Sequence, residues 1–164
     1  MPITRRVLLQ AVLAQIAGGR ALAQAQVHTK PKPLSKDAVT HDWPSLLGPS
    51  HNGVSTETRL SRALPPPLIW ELPKGTSYTS PAVLGDRLVF VHRVGNEELV
   101  ECLQAETGAR QWKFAYSTDF EDRYGYNNGP RSSPVIDADR VYTVGAQGQL
   151  HCLDLRTGAL VWRR

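Results

Sequence analysis

The chain repeats itself. Cys102-Leu103-Gln104-Ala105-Glu106-Thr107-Gly108-Ala109-Arg110-Gln111-Trp112 returns 50 residues later, without a gap, as Cys152-Leu153-Asp154-Leu155-Arg156-Thr157-Gly158-Ala159-Leu160-Val161-Trp162. Upstream, Ser80-Pro81-Ala82-Val83-Leu84-Gly85-Asp86-Arg87-Leu88-Val89 returns as Ser133-Pro134-Val135-Ile136-Asp137-Ala138-Asp139-Arg140-Val141-Tyr142, at an offset of 53. The difference of three residues falls where Arg93 to Glu98 faces the shorter Gly145 to Gly148. An insertion confined to a turn is what two copies of one structural unit permit.

Within each unit short apolar runs alternate with glycine-bearing turns, and helical periodicity is lacking. Leu88–Val91, Glu98–Leu103, Arg140–Val144 and Gln149–Leu153 have strand length and β-branched content. Gly95-Asn96, Thr107-Gly108, Gly145 to Gly148 and Thr157-Gly158 separate them. Each unit therefore reads as four antiparallel strands. The first opens after Ser-Pro and turns at Gly85-Asp86 or Ala138-Asp139. The third carries Cys-Leu, and the fourth comes after Thr-Gly and ends at Trp. Proline at the start of a strand removes no interior ladder bond, and glycine after threonine suits a turn position with positive φ. The fold class is all-β, and four strands at a period near 50 residues are the proportions of a propeller blade.

These residues resemble the PQQ-like (pyrroloquinoline-quinone) repeat of β-propellers, whose signature is Thr-Gly followed by Trp. The signature residues here are Thr107, Gly108 and Trp112, then Thr157, Gly158 and Trp162. Asp42-Trp43-Pro44, Gly48-Pro49, Gly53-Val54-Ser55, Trp70 and Gly129-Pro130-Arg131 are similar to the lead-in and blade openings of secreted bacterial members. The resemblance implies that each tryptophan docks on the neighbouring blade as a core residue, and that the strand around Trp70 serves to close a ring. It also implies a ring larger than two blades. The chain is thus expected to be a fragment of a seven- or eight-bladed propeller, the alternative being two blades that assemble with copies of themselves.

The expected organisation is a signal peptide at 1–23, a flexible linker at 24–41 and a lead-in segment at 42–79. A first blade at 80–115, an inter-blade loop at 116–131 and a second blade at 132–164 complete it. Positive charge at Arg5-Arg6, a short apolar run from Val7 to Ala17 and small residues at Ala21-Leu22-Ala23 mark a secretory signal. The Arg5-Arg6 pair before Val-Leu-Leu resembles a twin-arginine signal, with Sec export as the alternative. Either route places the protein in the periplasm or outside the cell. The apolar run falls short of the roughly 20 residues of a membrane span, so no transmembrane segment is expected in the mature chain.

Charge excludes one class of partner. The net charge is +4, but residues 1–23 hold three arginines and no acid, leaving 16 basic against 15 acidic side chains. A nearly neutral body has no footprint for a phosphate backbone, and nucleic acid is not an expected partner.

The PQQ-like family contains quinoprotein dehydrogenases, which hold PQQ and Ca²⁺ on the propeller axis, and cofactor-free scaffolds, including the propeller lipoprotein of outer-membrane assembly. The vicinal cysteine pair common in the dehydrogenases has no counterpart here. Cys102 and Cys152 occupy equivalent positions in blades that fan apart, so buried thiols are expected rather than a disulfide. The five histidines show no metal spacing, and no catalytic, cofactor-binding or metal-binding residue is identifiable. The feature with binding chemistry is the connection between the repeats. It sets Ser133 21 positions after Trp112, whereas Ser80 comes 10 positions after Trp70. Tyr124, Tyr126, Asn127, Asn128 and Arg131 within it are the candidate ligand residues, for a protein partner or small ligand on a propeller face. A solvated structural loop is the competing reading.

Overall fold

The computed structural model describes residues 24–33, 36–37, 39–57 and 64–164; the signal-peptide reading of 1–23 lies outside them. The described residues contain no helix, and hence none long and apolar enough to cross a membrane. Among the described residues ten strands run in chain order: β1 (Gln26–Val27), β2 (Trp70–Glu71), β3 (Ala82–Leu84), β4 (Arg87–Val94), β5 (Glu97–Gln104), β6 (Arg110–Ser117), β7 (Val135–Asp137), β8 (Arg140–Val144), β9 (Leu150–Asp154) and β10 (Leu160–Arg163). β3 to β6 form one four-stranded sheet and β7 to β10 another, each antiparallel with neighbours in sequence as neighbours in space. These are the two expected blades.

The repeated sequence makes a repeated turn. In the first blade Gln104 accepts from Thr107 N–H through its side chain (2.7 Å) and from Gly108 N–H through its carbonyl (2.8 Å). In the second, Asp154 does the same for Thr157 (2.8 Å) and Gly158 (2.8 Å). The threonine hydroxyl then accepts from Ala109 or Ala159 N–H, at 3.3 Å in each copy. Both glycines sit at positive φ, +69° and +72°, where any side chain strains the backbone.

Glycine has a second reason to be there. A methyl group on Gly158 would lie 2.5 Å from the Trp112 ring, and one on Gly108 would lie 2.8 Å from Trp70. Trp112 donates its indole N–H to Leu155 O at 2.8 Å, and Trp70 donates to Ala105 O at 3.0 Å. Each of these two tryptophans covers the Thr-Gly turn of the next blade and satisfies its polar atom on that turn's backbone. Around Trp112 the inner face of the first blade (Val89, Val91, Val100, Cys102) packs on Ile136, Val141, Leu153 and Leu155 of the second. With a neighbour on each face, β5 is buried along both sides instead of alternating.

Four details depart from the sequence expectations. Trp162 is not a core residue: it is 38% exposed, against 8% for Trp112, because no further blade covers it among the described residues. The fourth strands do not end at tryptophan; β6 continues to Ser117 because β5 pairs with it as far as Glu97. That moves the start of the inter-blade connection from 116 to 118. The 24–41 segment is not all linker, since Gln26–Val27 pairs with Trp70–Glu71 and so satisfies the edge of β2. Order therefore precedes Asp42.

The lead-in segment ties the blades together. Trp43 exchanges two backbone hydrogen bonds with Val83 (both 2.9 Å), and Pro44 O accepts from Ile136 N–H at 2.8 Å. It thus bridges the first strands of both blades, β3 and β7.

Candidate functional site

The up-and-down strand order sends alternate connections to opposite ends of the sheets. The Thr-Gly turns lie at one end. At the other, the β4–β5 turn, the β8–β9 turn and the long β6–β7 connection meet. Thr118 N–H reaches Asn96 O (2.9 Å), its hydroxyl reaches Gln147 Oε1 (3.0 Å), and Gln147 Nε2 donates to Asp119 Oδ1 (2.6 Å).

Two charged side chains organise the connection. Asp122 accepts N–H bonds from Tyr124 (3.3 Å), Tyr126 (3.0 Å) and Asn127 (3.3 Å), while its own N–H donates to Asn128 Oδ1 at 2.8 Å. Burial raises the Asp122 carboxyl pKa, but those backbone bonds and Arg131, 3.4 Å away, outweigh it and hold the group below the usual range. Arg93, buried at the end of β4, donates to Gly95 O (2.6 Å), Phe120 O, Asn128 O (3.1 Å) and Asn96 Oδ1 (3.4 Å). A strand residue thereby clamps both ends of the insert to the neighbouring turn.

The result is a polar cleft of about 770 Å³, walled by the Gly75-Thr76 backbone, the β4–β5 turn and the 121–128 stretch. Of the candidate ligand residues, Tyr126, Asn127 and Asn128 line it. Tyr124 stands beside Tyr126 with ring centroids 6.2 Å apart and Arg123 stacked over it at 4.6 Å, on the exposed rim. Arg131 is placed differently. Its guanidinium lies over Phe120 (5.1 Å) and Tyr78 (5.7 Å) and donates to Asn127 O at 3.3 Å, so it braces the loop. Sequence reasoning missed Arg93, which looks like any strand arginine. It also missed the Gly75-Thr76 wall, held by two backbone bonds between Thr76 and Arg93 (3.0 and 2.9 Å).

Two buried polar clusters lie outside the cleft. Gly75 N–H donates to His92 Nδ1 (2.8 Å), so His92 Nε2 carries the hydrogen donated to Glu101 at 2.9 Å. Burial pushes the Glu101 carboxyl up, and the bonds from His92 and Arg110 pull it below its ordinary value. Between the blades, buried Glu98 accepts from Ala146 N–H (2.9 Å) and from the Tyr116 hydroxyl, whose pKa is pushed up by burial and by that carboxylate. His151 packs 4.3 Å from the Tyr116 ring and 5.2 Å from Phe114. Its Nδ1 and the cross-strand Thr143 hydroxyl are buried without a hydrogen-bond partner among the described residues. Burial first, and Arg163 second, lower the His151 pKa against the opposing pull of Glu98. Both clusters join strands and blades; neither opens on the cleft.

Cys102 and Cys152 are free and buried, and burial raises the Cys102 thiol to about 11, which makes it inert. Among the described residues no group of three or more His, Cys, Asp or Glu is placed to hold a metal ion.

Known proteins share this repeat. Residues 95–164 match the family model described as outer membrane protein assembly factor BamB. A curated BamB from Aliivibrio fischeri is 61% identical over 33 residues, covering 20% of this chain and 9% of that protein. The crystal structure of BamB from Moraxella catarrhalis superposes with a TM-score of 0.46 at 27% identity, over 58% of this chain and 27% of its own. A europium-containing methanol dehydrogenase (TM-score 0.41, 20% identity) aligns over 56% of this chain and 16% of its own. The quinohemoprotein alcohol dehydrogenase from Comamonas testosteroni (TM-score 0.39, 23% identity) does so over 56% and 13%. The chain spans about a quarter or less of the length of each. The part of the chain that matches the BamB family model, residues 95–164, runs from the β4–β5 turn through the whole second blade and includes both Thr-Gly turns.

Proposed function

We propose that this chain is an exported, non-catalytic binding or scaffolding module whose working face is the loop-bearing end of the blades. One observation carries the reading. The connection between the blades is longer than the repeat requires, yet Asp122, Arg93 and Arg131 hold it in one shape around a cleft. Loops fixed by a rigid β-scaffold are where binding surfaces are built. The curated relative that matches 33 residues of the chain is named as an assembly factor, which supports a role in binding. Export rests on the reading of Arg5-Arg6 and the apolar run behind it.

The second reading is the N-terminal part of a PQQ-dependent alcohol or sugar dehydrogenase. The catalytic blades of that reading lie beyond Arg164, so it is tested by adding PQQ and Ca²⁺ to the full-length protein and measuring dye-linked alcohol and sugar oxidation. The binding-module reading expects no turnover above the buffer rate; sustained turnover overturns it. Export is tested by Arg5→Lys with Arg6→Lys, which blocks accumulation outside the cytoplasm if the twin-arginine route is used and leaves it unchanged if Sec is.

A further inference from the structure

The cleft has a chemistry of its own, and it narrows the class of ligand. Its charged lining is Arg93 against Glu121 and Asp122. Arg93 turns its N–H groups toward Gly95, Phe120 and Asn128 carbonyls and the Asn96 side chain. Asp122 is filled by three backbone N–H groups and Arg131. An anion entering here meets a carboxylate, Glu121, and no cation presented to it by the lining residues. A hydrocarbon fares no better, because Val94 is the lone aliphatic side chain in the wall.

What the wall does offer is planar hydrogen-bonding groups beside an aromatic face. Asn96, Asn127 and Asn128 contribute amides, and Glu121 contributes an exposed carboxylate. Tyr126, 80% exposed, contributes a ring carried on backbone whose N–H is bonded to Asp122. The amide oxygens are engaged by Arg93, Gly129 N–H and Asp122 N–H, so the amides offer their NH₂ groups as donors, and a carboxylate takes two hydroxyls at once. A tyrosine face packs against C–H groups at little cost in rotamer entropy. At about 770 Å³ the cleft lies in the range of roughly 300–1,000 Å³ usual for small-ligand sites.

We propose that this cleft binds a neutral carbohydrate, with one sugar ring stacked on Tyr126 and its hydroxyls shared between Glu121 and the asparagine amides. The inference rests on the reading of the loop-bearing end as a binding face. Binding is non-covalent and requires no co-reactant.

The test is calorimetric titration of the full chain with three neutral trisaccharides (cellotriose, maltotriose and tri-N-acetylchitotriose) and one anionic control, trigalacturonic acid. At least one neutral trisaccharide is expected to bind with a Kd of about 1 mM or tighter. Tyr126→Ala and Glu121→Gln should each weaken it about tenfold or more, without change in near-ultraviolet circular dichroism. Saturation by none of the three, equal or tighter binding of the anion, or binding untouched by both variants would each overturn the site. So would displacement of the sugar by nothing but an extended peptide that itself binds tighter, which assigns the cleft to a protein partner. Failure of the sugar to bind leaves the non-catalytic reading standing. Oxidation of a bound sugar with PQQ and Ca²⁺ would instead sink that reading and keep the site.

Discussion

Trp112 and Trp162 hold the same position in the same repeat, 50 residues apart, and live in different surroundings. Trp112 is buried over Gly158 and donates to Leu155 O; Trp162 is 38% exposed, with the Tyr142 ring 6.1 Å away. Both close the same Thr-Gly signature, so the difference comes from the blade that, among the described residues, stands beside one tryptophan and not the other. A blade supplies the tryptophan and its neighbour supplies the socket. Stability in such a protein accumulates at the joints between units as well as within them.

Mutation should separate the two tryptophans sharply. Trp112→Ala is expected to cost about 3–5 kcal/mol in chemical denaturation, as for other buried large aromatics. Trp162→Ala should cost under about 1 kcal/mol, as at an exposed position. Equal losses would mean that Trp162 is covered in solution.

The socket should be nearly as sensitive as the ring that fills it. Gly158→Ala combines a left-handed backbone with a clash against the Trp112 ring, and a loss of about 1–3 kcal/mol is expected. Gly85, at φ +58° with nothing near its missing Cβ, is the control. Gly85→Ala should cost visibly less by the same denaturation, because only the backbone strain remains.

Glu98 links the same pair of blades by another route. Glu98→Ala leaves Ala146 N–H and the Tyr116 hydroxyl without this acceptor in a buried place, and about 1–3 kcal/mol is expected.

Much of this joint was legible in the sequence. The Thr-Gly and Trp spacing located the turns, the strands and the docking tryptophans, because each strand and turn is a local pattern. The partner of each tryptophan was less visible. Gly158 reads locally as a turn glycine, and its second role depends on Trp112, 46 residues earlier. Burial of Glu98 and Glu101 leaves no mark in a strand whose neighbours lie on other strands. The candidate loop was located from its length, and three of its five named residues do line the cleft. Arg131 braces instead, and Arg93 went unnoticed because its partners are chiefly backbone carbonyls, which sequence does not encode. β1 escaped notice because two residues are too few for a period.

The joint also carries a pH dependence. His151 lies between blades, facing the Phe114 and Tyr116 rings, Glu98, Thr143 and Arg163. Its folded pKa is depressed below the ordinary 6.5, so the unfolded chain takes up a proton that the folded chain resists. Its contribution to stability is therefore whole above pH 6.5 and is lost as pH falls toward the folded value. Melting temperature should drop as the solution is taken from neutral to mildly acidic pH, and His151→Leu should flatten that drop.

The smallest effect belongs to the opposite end of the blades. Asp122→Ala removes the acceptor for three backbone N–H groups without touching the joint. Global denaturation should hardly move, while amide exchange across 122–128 speeds up. A large global loss would show that the insert is part of the core.

The most direct test of the joint is a nuclear Overhauser measurement on the labelled chain, reading contacts from each indole ring. Cross-peaks are expected from Trp112 to the Gly158 α-protons and from Trp70 to those of Gly108, and none from Trp162 to either glycine. Absence of the Trp112–Gly158 contact in a folded chain would contradict the claim that a blade's tryptophan closes on the turn of its neighbour.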